Sequence, residues 1–369
     1  MKIKPIIFGV SGTELLPEEI DFFQANPVAG FILFARNVES KEQLQALTAS
    51  MKGLYPEEVP IFIDQEGGRV LRIKPPIANK LYLSAEELAE NYENDPEQTK
   101  TLVQENYREL MTELKGWDID SPCAPVCDIR YEGASDVIGD RAFGYNADQV
   151  IDLCKSVIQG ILDVSGIPFL KHMPGHGRSA VDSHTDLPTV TTELTELEAT
   201  DFRVFKELAA EFGDKVWGMT AHIIYTALDE EATATTSPTV INYIRETIGF
   251  TGNLVSDDIN MGALHGEAGA KYALLQRVIR FIDGKRNWKT LTQDLKNYFD
   301  IDVSEFDNET MKDKCHELIP EHKPAFLLSL ANVTRDILAV DDSNYYVLHC
   351  SGDLEEMRTV CGAVDDYFG

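Results

Sequence analysis

Four short segments hold polar residues whose types and spacing suit chemistry. KHMPGHGRSAVDSHTDLP, residues 171 to 188, follows the apolar GIPFL and carries three histidines within thirteen residues, with a lysine and several acids beside them. Asp182 and His184 stand two apart there. A short Asp-Ser-His turn can bring the carboxylate onto one imidazole nitrogen, which fixes the tautomer and leaves the other nitrogen free to transfer a proton. The competing reading is a local turn with an exposed histidine. His172 and His176 are four apart, a spacing that suits a helical metal pair, but Pro174 and Gly175 between them disfavour helix and no HExxH occurs.

NLVSDDINMGAL, residues 253 to 264, places two acids directly after an apolar run. Successive side chains of an extended segment point opposite ways, so only one of Asp257 and Asp258 can face a given pocket. One would then be a nucleophile and the other a structural acid; two solvated loop acids are the plain alternative. IDQEGGRVLR, residues 63 to 72, puts Asp64 past a strand end, then Gly67 and Gly68 for a sharp turn, then Arg69 and Arg72. SDVIGDRAFG, residues 135 to 144, carries Arg141 after an acid. Each of the last two, taken alone, also fits a structural ion pair. His222, past the end of GMTAHIIY, reads as a structural residue at the same rim.

The elements that must position these groups follow an alternating pattern. Eight apolar runs read as strands: Ile6–Val10, Val28–Phe34, Val59–Ile63, Ile119–Val126, Ile167–Leu170, Val216–Thr220, Leu254–Val255 and Tyr345–Leu348. Most are apolar throughout, as parallel strands covered on both faces are. Helical patterns lie between them at Leu16–Gln24, Lys41–Leu54, Ala85–Leu114, Ala147–Val164, Leu194–Glu211 and Thr239–Ile248, with Ser40 and Asn146 as N-caps. The alternation predicts a single (β/α)8 TIM-type barrel spanning 1–369, whose chemistry sits at the strand ends. A doubly wound open sheet is less consistent, because no glycine-rich phosphate loop follows the first strand. Between the last two strands the segment of about 270–341 is helical and charged, and reads as an insertion within the catalytic domain.

Composition bounds the partners. The chain has 369 residues and a net charge of −29, which argues against binding nucleic acid or an anionic membrane. Its six scattered cysteines read as reduced, buried thiols. The N-terminal apolar run is too short for a signal sequence and no run is long enough to span a bilayer, so a cytoplasmic location is expected. No cofactor and no metal are expected, and the pattern is silent on oligomeric state.

IDQEGGRV, DRAFG, KHMPGHG with the following DSH, and SDDINM, in this order, resemble the bacterial β-N-acetylglucosaminidases of glycoside hydrolase family 3, the single-domain type that trims peptidoglycan fragments. GFILFARNVESKEQL, TAHIIYTALD and LHCSGDLEEM add to the likeness. The resemblance implies a retaining β-N-acetylhexosaminidase acting on a terminal β-linked N-acetylglucosamine. It implies Asp257 as nucleophile, His184 as general acid/base with Asp182 as its partner, and Asp64, Arg72, Arg141, Lys171 and His172 as residues that hold the sugar. Such a pair must flank the scissile bond at a separation of roughly 5–5.5 Å. The family includes members that use phosphate in place of water, so phosphorolysis is an alternative. A metal-dependent barrel hydrolase is the alternative from another class, and a non-catalytic sugar-binding relative a third. The segment of about 270–341 has no counterpart in the family pattern.

Overall fold

In a computed structural model, residues 2–179, 187–283, 287–301, 303, 306–340 and 346–368 are described. Seven strands form one parallel, curled sheet: β1 (Lys4–Gly9), β2 (Val28–Leu33), β3 (Ile61–Ile63), β4 (Phe169–Met173), β5 (Trp217–Thr220), β6 (Leu254–Asp258) and β7 (Tyr346–Cys350). Their order is β3-β2-β1-β7-β6-β5-β4, so the last strand lies beside the first. The main helices are α1 (Pro17–Ala25), α2 (Lys41–Lys52), α3 (Pro96–Lys115), α4 (Ala147–Leu162), α5 (Asp201–Phe212), α6 (Gly266–Asp283), α7 (Asn308–Val340) and α8 (Leu354–Phe368). The expected caps are in place: the Ser40 hydroxyl accepts from Gln43 N and Asn146 from Gln149 N.

Seven of the eight expected strands are present. The fourth, Ile119–Val126, is not a strand. Pro122 and Pro125 carry no N–H to give a ladder, and Cys123 has a left-handed backbone at φ +49°. The segment still bonds to both edges of the sheet. Ile63 N donates to Ser121 O at 3.0 Å on one side, and on the other Phe169 N donates to Ala124 O at 2.8 Å and Cys127 N to Lys171 O at 2.7 Å.

Three further expectations need correction. The helix expected over 85–114 breaks into Ala85–Ala89 and α3, because Asp95 caps a new helix and Pro96 takes its first position. The helix over 194–211 breaks at Thr200, and the one over 239–248 continues from Pro238–Asn242 into a wider π turn, Tyr243–Ile248.

Strand alternation divides the apolar residues into two sets. A large cluster fills the space between sheet and helices, with Ile6, Phe8, Leu348 and Leu254 contributed by strands. A separate inner cluster comprises Ile7, Ile32, Phe62, Cys123, Phe169, Met219, Val255 and Val347, drawn from every strand and from the fourth segment. This inner cluster is the floor beneath the residues that follow it along the strands. The helical region after β6 has its own apolar cluster, built around Leu275, Trp288, Leu295 and Met311. It leans on the sheet through α7, which packs against both α6 and α8. No described helix is long and apolar enough to cross a membrane, and all six cysteines are buried free thiols.

Candidate active site

Asp64 stands two residues beyond Phe62, and Lys171 two beyond Phe169, so both rise from the inner floor at the carboxyl ends of β3 and β4. Lys171 Nζ lies 3.1 Å from Asp64 Oδ1 and 2.6 Å from Glu66 Oε1. Arg72 reaches Asp64 Oδ2 at 3.0 Å. A tight hairpin makes that contact possible across eight residues. Gln65–Gly67 pairs antiparallel with Val70–Leu71, and the Gln65 amide accepts from Arg72 N and Ile73 N. The turn requires glycine: Gly67 has φ +113°, and a Cβ there would sit 2.0 Å from Leu83 O.

Arg141 arrives from the long loop before α4 and grips Glu66 with both Nε and Nη2 at 2.8 Å, a bidentate pair. Lys171 and Glu66 are buried, 2% and 6% exposed, whereas Asp64 and Arg72 each keep 20% of their side chains open. The cluster therefore has a buried ionic base and an open polar face. Arg72 Nε is buried without a partner among the described residues.

The charges are fixed by their neighbours. Burial works against an ionised Asp64, but Lys171 and then Arg72 outweigh it and hold the carboxyl well below the usual carboxylate range. Glu66 behaves alike: burial opposes its charge, and Arg141 and Lys171 bring it down to about 2. For Lys171 burial favours the neutral amine, yet Glu66 and Asp64 hold its pKa above the ordinary lysine value. All three are ionised at neutral pH.

A second carboxylate, Asp128, organises the histidines. His172 Nδ1 is 2.8 Å from Asp128 Oδ2, and His176 N donates to Asp128 Oδ1 at 2.6 Å. A carboxylate only accepts, so Nδ1 of His172 carries the proton. Burial opposes the charge on Asp128 and His172 sustains it. His176 is buried next to His172, and burial foremost, then that neighbour, lowers its pKa to about 4. Gly177 lies so close to Ile129 that a Cβ would come within 1.8 Å of its carbonyl oxygen, which fixes the start of the loop leading to 180–186.

At the end of β6 the two acids divide. Asp258 accepts from Asn260 N and Ser351 N, both at 3.1 Å, and from the Ser351 hydroxyl, so its carboxylate is committed to the loops. Asp257 accepts from Asp258 N at 2.8 Å and stays half-buried. His222 is buried, with Nε2 3.1 Å from Asp258 O and Nδ1 2.7 Å from Thr235 Oγ1. The backbone carbonyl accepts, so Nε2–H donates and His222 braces the loop after β6.

The structure thus brings Asp64, Arg72, Lys171 and Arg141 into one network and ties His172 to Asp128 nearby. Asp257 lies at the end of a different strand. Asp182 and His184 fall outside the described residues. Glu66 and Asp128 were missed in sequence. Glu66 has a signal, since it is two residues from Asp64 in an extended segment and so shares its face.

Ionised donors and acceptors gathered at strand ends over an apolar floor are the kind of side chains that can bind the hydroxyls of a small polar ligand. Comparison with known proteins identifies the family. Residues 13–278 match the model described as the glycosyl hydrolase family 3 N terminal domain. A protein of Alkalilimnicola ehrlichii named beta-hexosaminidase is 37% identical over 270 residues, covering 73% of this chain and 76% of that protein. A beta-hexosaminidase of Methylobacillus flagellatus is 33% identical over 267 residues, covering 71% of this chain and 73% of that protein. Among solved structures, NagZ from Neisseria gonorrhoeae in complex with N-trifluoroacetyl-D-glucosamine superposes with a TM-score of 0.67 at 28% identity, covering 89% of this chain and 97% of that one. The family match and the relatives' names establish a glycoside hydrolase. The chain belongs to glycosyl hydrolase family 3.

Proposed function

We propose that this enzyme is a retaining, exo-acting β-N-acetylhexosaminidase that removes terminal β-linked N-acetylglucosamine, with peptidoglycan fragments as its substrates. The observation that carries the reading is the ionised cluster Asp64–Lys171–Glu66–Arg141 at the ends of β3 and β4. Its open face offers Asp64 as acceptor and Arg72 as donor to sugar hydroxyls, and the buried Lys171 and His172 would meet the sugar from beneath. The names of the matched relatives, and the glucosamine derivative bound in the solved Neisseria gonorrhoeae structure, favour N-acetylglucosamine as the sugar.

In this proposal Asp257 attacks the anomeric carbon while His184 protonates the departing glycosidic oxygen, which leaves as an alcohol. The product is a glycosyl ester on Asp257. His184, now neutral and oriented by Asp182, takes a proton from water as the water oxygen attacks the same carbon. The Asp257 carboxylate is released, and two inversions give net retention. The engagement of Asp258 by Asn260 and Ser351 supports Asp257 as the acid of the pair that does this work.

The segment 119–127 would serve as an irregular eighth stave, bonded to β3 and β4, so that the curled sheet makes a (β/α)8 barrel within one catalytic domain. The helical region of about 270–341 would be an insertion in that domain. The buried thiols and the acidic surface favour the cytoplasm. The metal-dependent alternative has less support, because the matched relatives are named beta-hexosaminidases.

The test is product analysis with an aryl β-N-acetylglucosaminide, with and without inorganic phosphate. Free N-acetylglucosamine of β configuration at early times, in both conditions, is the expected result. Sugar 1-phosphate formed only with phosphate would establish the phosphorolytic alternative, and chelator-sensitive turnover the metal-dependent one.

A further inference from the structure

One buried histidine at the site has no role in the chemistry above. His349 is the one imidazole in β7, YVLHC, and sits two residues beyond Val347 of the inner floor. Strand alternation therefore points it the same way as Val347, toward the strand ends that carry Asp64 and Lys171. Its backbone is locked to the proposed nucleophile's strand: His349 N donates to the Ser256 hydroxyl at 3.0 Å, and its carbonyl accepts from Ile259 N at 2.9 Å. Its ring stacks on Phe34, with centroids 6.3 Å apart and planes 15° from parallel.

The residue is 5% exposed, and neither Nδ1 nor Nε2 has a hydrogen-bond partner among the described residues. Native structures rarely leave buried polar atoms unpaired, because each such group carries its full desolvation penalty. Packing does not ask for an imidazole here, since Phe34 and the floor beneath are apolar. The ring is an electrostatic neighbour of Asp64, after Lys171 and Arg72. Arg72 Nε is a second buried and unpartnered nitrogen beside the same carboxylate.

We infer that His349 contacts the bound sugar, donating to or accepting from one ring hydroxyl on the Asp64 side of the pocket. A neutral imidazole has one donor and one acceptor, so it suits a hydroxyl, which is both. The stack on Phe34 and the two backbone bonds hold the ring ready, so the contact needs little reorganisation on binding. The inference rests on the proposed β-N-acetylhexosaminidase activity.

The experiment compares wild type, His349→Val and His349→Gln on an aryl β-N-acetylglucosaminide and on its 3-deoxy, 4-deoxy and 6-deoxy analogues. His349→Val should lower kcat/KM on the parent sugar roughly ten- to hundredfold. On one deoxy analogue, the one lacking the contacted hydroxyl, the same variant should lose no more than about twofold, since the partner is already gone. His349→Gln should recover most of the loss. Ratios between substrates cancel the amount of folded enzyme, so the comparison holds even if the valine variant is less stable. Equal losses on all four substrates would mean that the histidine is only structural, and unchanged kcat/KM on the parent would also overturn the inference. Absence of turnover by wild type on the parent glycoside would instead overturn the proposed activity.

Discussion

Glu66→Gln is the sharpest perturbation of the ionic base beneath the pocket. Glu66 accepts two bonds from Arg141 at 2.8 Å and one from Lys171 at 2.6 Å, and is 6% exposed. Glutamine keeps the shape but turns one acceptor oxygen into a donor nitrogen that faces donors. It also leaves two buried cations short of one anion. The Glu66 carboxyl is displaced from 4.5 to about 2, which corresponds to about 3 kcal/mol in favour of the charged form. Breaking a buried ion pair on one side costs a similar ~3–5 kcal/mol. With an unfolding entropy of about 2 cal/mol/K per residue, a chain of 369 residues loses roughly 1.3 °C per kcal/mol, so Tm should fall by about 4–6 °C. Lys171 would then lean on Asp64 alone, and kcat/KM on the aryl glycoside should drop at least about tenfold. Differential scanning calorimetry and initial-rate kinetics read both effects. Adding Lys171→Met should restore part of the stability, with a coupling energy of about 2 kcal/mol in the double-mutant cycle. A Tm within about 1 °C of wild type, or strict additivity in the cycle, would refute the reasoning.

Three other outcomes follow from the same geometry. His184→Ala should slow a glycoside with a poor leaving group by about 100-fold or more while sparing one with a nitrophenolate-type leaving group far better; equal losses would count against proton donation. His176 has its pKa lowered to about 4 against an ordinary 6.5, so the unfolded chain takes up the proton first. Stability should be full above about pH 6.5 and decline by about 3 kcal/mol as pH falls to about 4, with Glu66, Asp64 and Asp128 adding further losses below about 4.5. Calorimetry across this range should show a Tm slope that His176→Asn flattens, and a slope unchanged in that variant would contradict the assignment. Gly177→Ala would push a methyl into Ile129 O, costing about 1–3 kcal/mol and displacing the approach to 180–186, so activity should fall at least about tenfold; wild-type turnover would show that the loop tolerates the shift.

The strands were legible because each is a short β-branched or aromatic run at a regular interval, and burial on both faces keeps such runs apolar. The fourth was not, because Ile119–Val126 has strand-like composition while its two prolines deny it the ladder. The helices over 85–114 and 194–211 have continuous periodicity, and only local capping at Asp95 and the turn at Thr200 divides them. α7 ran the other way: Pro320 and Pro324 suggest a stop, yet the helix continues through both. In the site, Asp64, Arg72, Arg141 and Lys171 stood out as polar residues at strand ends, and they do meet. What composition hid was the carboxylates between them. Glu66 looks like any surface acid next to glycines, and only parity with Asp64 marks it. Asp128 follows an apolar run by one residue and differs from a solvated loop acid only through contacts made across forty-four residues with His172. His349 carried a plain signal, a lone imidazole in an apolar strand, that meant little until its strand was placed beside the first.

The most direct measurement of the central claim is to trap the glycosyl-enzyme with an activated 5-fluoro N-acetylglucosaminide and map the adduct by peptide mass spectrometry. The account predicts one sugar per chain, ester-linked to Asp257 and absent from Asp257→Asn. An adduct on another residue, or wild-type hydrolysis that proceeds with retention in the Asp257→Asn protein, would contradict it.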